Sequence, residues 1–208
     1  MMKVIKMNNI GFISSKGIKP IITLLVLTII ASLISDFLGV IFVLATLFTL
    51  YVFRDPQRYI YENSDSVLSP VDGKIIAVDK TDDKLKIHCK VSLCNNHAIR
   101  APFSGEVKVE KYHKGLNLDT STLKAKSLNE QITYKFDSDD RKTSLRLKLL
   151  SGLCNIDIEK MEDTNISQGE EVSFFIDGIA IITIKDDCEL LVNIGDKILS
   201  GQTILYKK

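Results

Sequence analysis

Asp72 stands in Ser69-Pro70-Val71-Asp72-Gly73, a phrase that reads as a tight turn launching a strand. A carboxylate there can act as a base, yet Asp-Gly is equally a good turn pair with no catalytic task. His97 and Arg100 follow in NNHAIRAPFSGEV (95–107). An imidazole can move a proton near neutral pH. A guanidinium can clasp phosphate through two N–H donors, or simply pair with an acid. Asn129 and Glu130, in KAKSLNEQ (124–131), suit hydrogen bonds that fix a loop, while Lys114, Lys124 and Lys126 read as solvated. His88, Cys89, Cys94 and His97 offer donors for a metal. However, His88 and Cys89 are neighbours on an expected strand and point to opposite faces, so no metal site is expected. The four cysteines, Cys89, Cys94, Cys154 and Cys188, form no Cys-x-x-Cys pair, and disulfides are not expected on the cytoplasmic side.

The elements that must position these groups read as strands. Short apolar runs recur at 74–78, 84–93, 106–112, 131–136, 144–150, 172–176, 179–184, 189–194 and 203–208. LKIHCKV and SLRLKLL alternate with period two, as half-buried strands do. Pro70 to Gly73, Ser104-Gly105, Gly169 and Gly195-Asp196 mark turns between them. Helix signals are weak and confined to 122–129 and 151–162. Many short strands with regular turns imply a mainly β fold, of barrel-sandwich or hammerhead-like form, with few short helices.

Ahead of this domain the chain is almost pure hydrocarbon from 18 to 53. A full span needs roughly 20 apolar residues. IKPIITLLVLTIIASLI and FLGVIFVLATLFTLYVF each fall short, and together they exceed one helix. The reading is an N-terminal transmembrane helical hairpin broken at Ser35-Asp36. Lys3, Lys6, Lys16 and Lys19 precede it, and Arg54 and Arg58 follow, which places both ends on the cytoplasmic side of the cell membrane. The apolar stretch is too long for a cleaved signal peptide. The expected divisions are a basic segment (1–17), the membrane hairpin (18–53) and one β-domain (54–208). A net charge of +1 with interspersed acids and bases gives no footprint for nucleic acid.

SPVDGKIIAV (69–78) and APFSGEVKVE (101–110) look alike, and NIGDKILSGQTIL (193–205) repeats the turn-strand pattern. Such phrases are shared by biotinyl and lipoyl carriers, membrane-fusion adaptors and pyruvoyl-dependent phospholipid decarboxylases. A carrier needs a Lys at a hairpin tip, and Lys160 beside Met161 does not read as one. In order, VFRDPQR (52–58), SPVDGKI (69–75), NNHAIRAPFSGEV, KAKSLNEQ, SGLC (151–154) and NIGDKILSGQTIL resemble the phosphatidylserine decarboxylase family in its short, membrane-anchored bacterial form. The resemblance implies a self-made pyruvoyl group. A Ser after Gly attacks its own preceding carbonyl, and the resulting ketone then takes the substrate amine as an imine. It also implies Asp72 as the base partner and His97 as a head-group contact, with Arg100, Asn129 and Glu130 as further candidate substrate contacts.

The chain departs from that family where the chemistry begins. Gly178 is present at the self-cleavage junction, but Ile179 stands where Ser is expected. Asn95 replaces the Asp of Asp-x-His, and Gln131 replaces the Arg of Asn-Glu-Arg. The first expectation is a divergent, non-processing relative that needs no pyruvoyl cofactor. It acts by binding membrane phospholipid, phosphatidylserine among them, or by forming a homo- or hetero-oligomer with a family member. The alternative is an active decarboxylase whose pyruvoyl group comes from a non-standard hydroxyl such as Thr183, or from a partner chain.

Overall fold

The computed structural model describes residues 13–56, 58, 66–81, 84–138, 143–155, 158, 163–185 and 189–207. They fall into two compact units, divided after Gln57. The first is a helical hairpin of α1 (Ile18–Ile34) and α2 (Asp36–Val52). Between them Ser35 adopts an extended conformation (φ −162°, ψ 134°) that no helix can contain. Its N–H still donates to the Ala31 carbonyl, and its own carbonyl accepts from Gly39.

Small and polar side chains lie between the helices. The Thr28 and Thr46 hydroxyls meet at 3.2 Å, and a Cβ on Gly39 would come within 3.1 Å of the Ser32 Cβ. Leu33, Phe37, Leu44 and Phe48 point outward and are exposed. The expected hairpin therefore forms, but not as a pair of full spans. Each helix has 17 residues, about 25 Å at 1.5 Å per residue against a hydrocarbon core of about 30 Å. No described helix is long and apolar enough to cross a membrane. The physical reason is the break at Ser35, which divides the apolar run evenly.

The second unit is built on one antiparallel sheet. Its strands in chain order are β2 (Gly73–Thr81), β3 (Lys84–Val91), β5 (Gly105–His113), β6 (Gln131–Ser138), β7 (Thr143–Ser151), β8 (Thr164–Ile166), β10 (Gly178–Lys185) and β11 (Lys197–Ile198). Across the sheet the order is β11-β2-β3-β10-β7-β6-β5-β8. Two short pairs complete the fold: β1 (Ser66–Leu68) with β12 (Ile204–Lys207), and β4 (Ala98–Arg100) with β9 (Glu171–Phe174).

Alternation along the strands decides which face is covered. Ile87, Cys89, Leu147, Ile182, Tyr134 and Phe136 turn inward and join a single buried cluster with Val67, Ile99, Val172 and Tyr206 of the short pairs. The opposite face carries Lys86, His88, Lys148 and Thr133, all partly or fully exposed. This is a sandwich-like, mainly β domain, as the alternation predicts.

Two expectations differ. Residues 189–194 form no strand beyond a single Leu190–Tyr206 bridge. There the Asn193 N–H donates to the Asp196 carboxylate, closing a turn in which Gly195 has φ 98°. The helical signal at 122–129 yields only α3 (Ala125–Leu128), one turn long, and the described residues of 151–162 contain no helix.

The two faces of the sheet predict different mutational costs. Ile87→Ala removes three carbons from a fully buried site, an expected loss of about 2–5 kcal/mol. Ile181→Ala, on the partly exposed face of the adjacent β10, is expected to cost under about 1 kcal/mol. Urea unfolding of the detergent-solubilised chain, followed by far-UV circular dichroism, checks the contrast; equal losses would contradict the assignment of faces.

Candidate functional site

Asp72 lies in the turn between β1 and β2, where Ser69 Oγ donates to the Val71 carbonyl at 2.7 Å and tightens the bend. The carboxylate is buried and collects donors from three distant segments. Arg58 forks onto both oxygens, at 2.5 and 2.6 Å. The Ser200 N–H reaches Oδ1 at 2.7 Å, and the Asn96 N–H lies 3.4 Å from Oδ2. Arg58 also donates to the Ser200 carbonyl at 2.8 Å. The side chains of Arg58 and Asp72 are 9% and 5% exposed, so neither charge is hydrated. Each depends on the other, and removing one leaves the second buried and uncompensated.

The turn that follows β3 brings His97 to this neighbourhood. Asn95 Oδ1 accepts from both the N–H and the hydroxyl of Ser92, each at 2.9 Å. The amide in the place of the expected Asp thus serves as a turn cap. The His97 ring is buried, with Nε2 3.3 Å from the Ser92 carbonyl. Its ring stands edge-to-face with Phe174, centroids 5.7 Å apart. Asp72 and the His97 loop meet through the intervening Asn96 amide. Arg100 is fully buried, and its Nη1 donates to the Gly169 carbonyl at 3.1 Å.

Asn129 and Glu130 are also buried. Asn129 Nδ2 donates to the carbonyls of Leu118 and Ser151, both at 2.7 Å, and its Oδ1 accepts from the Leu118 N–H at 3.0 Å. Glu130 accepts from the Tyr112 hydroxyl at 2.7 Å and from the Ile158 N–H at 3.3 Å. Together they fasten the loop before β6 to the end of β7, the loop-fixing use their residue types suggest. Gln131 donates to the Lys126 carbonyl at 2.7 Å, which holds α3 over the end of the sheet.

Gly178 heads β10 with φ 144°. A Cβ there would stand 2.2 Å from the Leu150 carbonyl oxygen and 2.6 Å from Phe175 Cζ, so only glycine fits. Ile179 follows, paired with Lys90 on β3 and Leu150 on β7, its side chain partly exposed on the outward face. Of the eleven glycines in the chain, none is followed by Ser, Thr or Cys. Thr183 lies five residues further along β10, about 17 Å away at 3.4 Å per residue. Cys188 is outside the described residues. A pyruvoyl group grows from a hydroxyl or thiol beside the cleaved carbonyl, and Ile179 supplies neither; the residues at this junction do not fit that group.

Sequence reasoning missed the contribution of Arg58, Ser200 and Asp177. Arg58 reads as a topology charge and Ser200 as a turn residue, and only the fold carries them to Asp72. Asp177, just before the junction, approaches Lys90 at 3.4 Å and accepts from the Cys154 N–H at 3.4 Å. A cleft of about 460 Å³ lies elsewhere, between Ser104, Glu106, Asp137, Asn165 and Ser167, and includes none of the site residues. Among the described residues no group of three or more His, Cys, Asp or Glu could hold a metal ion.

A mainly antiparallel β-domain with an Asp turn, a His loop and a glycine at φ 144° heading a central strand defines the class of this scaffold. The sequence pattern of phosphatidylserine decarboxylase matches residues 45–206. A phosphatidylserine decarboxylase proenzyme of Desulfotalea psychrophila is 31% identical over 179 residues, 82% of this chain and 84% of that protein. The proenzyme of Pelagibacter ubique is 28% identical over 207 residues, covering 94% and 96% of the two chains. No solved structure matches. The chain belongs to the phosphatidylserine decarboxylase family.

The Asp72–Arg58 pair is testable by a cycle. Asp72→Asn strands the Arg58 guanidinium and is expected to cost about 3–5 kcal/mol, while Arg58→Met with Asp72→Asn recovers part of that loss; a single-variant cost near zero in urea unfolding contradicts the clamp. The thiols supply a second check. Burial pushes the Cys89 thiol up to about 12 from an ordinary 9.0, whereas Cys94 and Cys154 are exposed. In native protein at mildly alkaline pH, iodoacetamide is expected to modify Cys94 and Cys154 and spare Cys89, as peptide mapping reads directly. The Cys89 contribution to stability is complete below pH 9 and is lost as pH rises toward 12.

Proposed function

We propose that this chain is a non-processing member of its family: a membrane-attached β-domain that keeps the scaffold and engages phospholipid without becoming a pyruvoyl enzyme. The observation that carries the reading is Ile179, the residue that follows the constrained Gly178. Attack on the preceding carbonyl requires an oxygen or sulfur nucleophile, and a sec-butyl group has none. The environment of Asp72 supports the same reading. Arg58, the Ser200 N–H and the Asn96 N–H already engage its lone pairs, so the carboxylate works as a clamp between segments.

Attachment to the membrane follows from the make-up of the hairpin. Thr28, Thr46, Ser32 and Gly39 face the partner helix, while Leu33, Phe37, Leu44 and Phe48 face out. That arrangement inverts a soluble helical pair and suits hydrocarbon surroundings. Two helices of 17 residues fit a hairpin that enters and leaves on one side, and the flanking Lys16, Lys19 and Arg54 favour the cytoplasmic face of the cell membrane as that side. The lipid engaged is an aminophospholipid, phosphatidylserine being the substrate named for the relatives.

Electrospray mass of the full-length chain, extracted from membranes, tests the reading. The expected result is one species at the uncut mass, 23.3 kDa. A C-terminal fragment of about 3 kDa carrying a blocked N-terminus would overturn it, since only scission beside a nucleophile makes such a cap.

A further inference from the structure

The outward face of the sheet and the loop that crosses its end carry a second pattern. One row across the strands runs Lys111, Thr133, Lys148, Ile181 and His88. The next runs His113, Gln131, Leu150, Ile179 and Lys90. The loop between β5 and β6 is fastened to this second row at both sides. Gln131 donates to the Lys126 carbonyl at 2.7 Å, and Lys90 Nζ reaches Thr120 Oγ1 at 3.1 Å. Asn117 Nδ2 donates to the Asn155 carbonyl at 2.9 Å, which ties the 152–155 turn alongside.

This loop and turn present Leu116, Leu123, Leu128 and Leu153 to solvent, Leu123 at 91% exposure. Lone exposed leucines are ordinary, but four on one fastened loop and its neighbouring turn, interleaved with exposed Lys124 and Lys126, are not a scattering. The acids are distributed unevenly. At the far end of the sheet, Glu106, Asp137 and Glu110 pair with Lys108, Lys135 and Arg146. His88 is matched by Asp79, and Lys90 by Asp177. Toward the loop, Lys111, Lys148, Lys124 and Lys126 have no ion-pair partner among the described residues. The loop itself carries one exposed carboxylate, Asp119, which accepts from the Ser121 N–H at 2.9 Å and offsets one of these charges. Burial first, and then the nearby Lys111, lower the Lys148 ammonium from its ordinary pKa.

We propose that this surface docks on an anionic bilayer, with Leu123 and its neighbouring leucines entering the interface and the lysines meeting lipid phosphate. Leucines between lysines are the composition of an interfacial binder, in which apolar burial and attraction to anionic lipid add. A nucleic acid would use the lysines and leave the leucines wet. The inference rests on the membrane-attached reading above and adds to it a contact made by the β-domain itself. It also turns Ile179, on the second row, toward the lipid.

The chain has no tryptophan, so a single introduced indole reports one place. In full-length protein reconstituted into phosphatidylcholine–phosphatidylglycerol vesicles, Leu123→Trp is expected to emit at shorter wavelength and to be quenched by lipid brominated near the head group. Adding Lys124→Gln and Lys126→Gln is expected to lower the docked-to-undocked ratio roughly 30-fold, about fivefold per lysine. Phe48→Trp, on the hairpin, reports the attachment separately through deeply brominated lipid. Quenching at 48 with water-like, unquenched emission at 123 overturns the docking surface and leaves the hairpin reading intact. Loss of quenching at both positions removes both. Equal quenching at 123 in pure phosphatidylcholine overturns the charge recognition, and so does a shift at 123 produced by a single-stranded oligonucleotide without vesicles.

Discussion

A carboxylate can leave water only if its lone pairs are taken up by donors that are themselves fixed. Asp72 meets that condition by drawing Arg58, the Ser200 amide and the Asn96 amide onto one group. Those donors come from the start of the β-domain, the loop before β4 and the turn before β12, so one side chain fixes the relative places of segments far apart in sequence. Ser200 adds a second tie, its hydroxyl lying 3.1 Å from the carbonyls of both Pro70 and Ala98. The same constraint gives the phrase around Asp72 a structural use that is independent of any chemistry at Gly178.

The other polar residues of the region follow that logic. Arg100, Asn129 and Glu130 are buried, and the hydrogen bonds described above tie them to backbone groups and to the Tyr112 hydroxyl. Buried polar networks of this kind specify one arrangement of loops around a core and are costly to break one member at a time. Gly178 is held by a different requirement, the close approach of Leu150 and Phe175. The start of β10 therefore requires glycine for a steric reason.

Much of the domain is legible in the sequence because the sheet has one covered face. LKIHCKV and SLRLKLL alternate, and β3 and β7 appear within a few residues of where the pattern puts them. β1, β4, β8 and β11 have two or three residues each, too few for any period, and exist only because neighbouring segments offer free backbone groups. The run 189–194 misleads because it is mostly apolar, yet Leu191 and Ile194 are exposed and the Asn193–Asp196 turn interrupts it. The hairpin break at Ser35 was readable, since a lone polar pair inside hydrocarbon has few other uses. At the site, the phrases holding Asp72, His97 and Gly178 were visible as phrases. The partner of Asp72 was not, because an ion pair between Arg58 and a turn fourteen residues later depends on where the strands carry them. For the same reason the inward direction of Arg100 could not be told from an outward, phosphate-seeking one.

β10 sits between β3 and β7 although it is among the last strands to be made. During translation those two neighbours must wait with their inner edges open until the final part of the chain leaves the ribosome. Open edges of apolar strands are aggregation-prone, and pairings this remote close slowly. The C-terminal strands thus act as a keystone: a ribosome that stalls before 178 leaves an arch that cannot close, whatever has already been built beneath it.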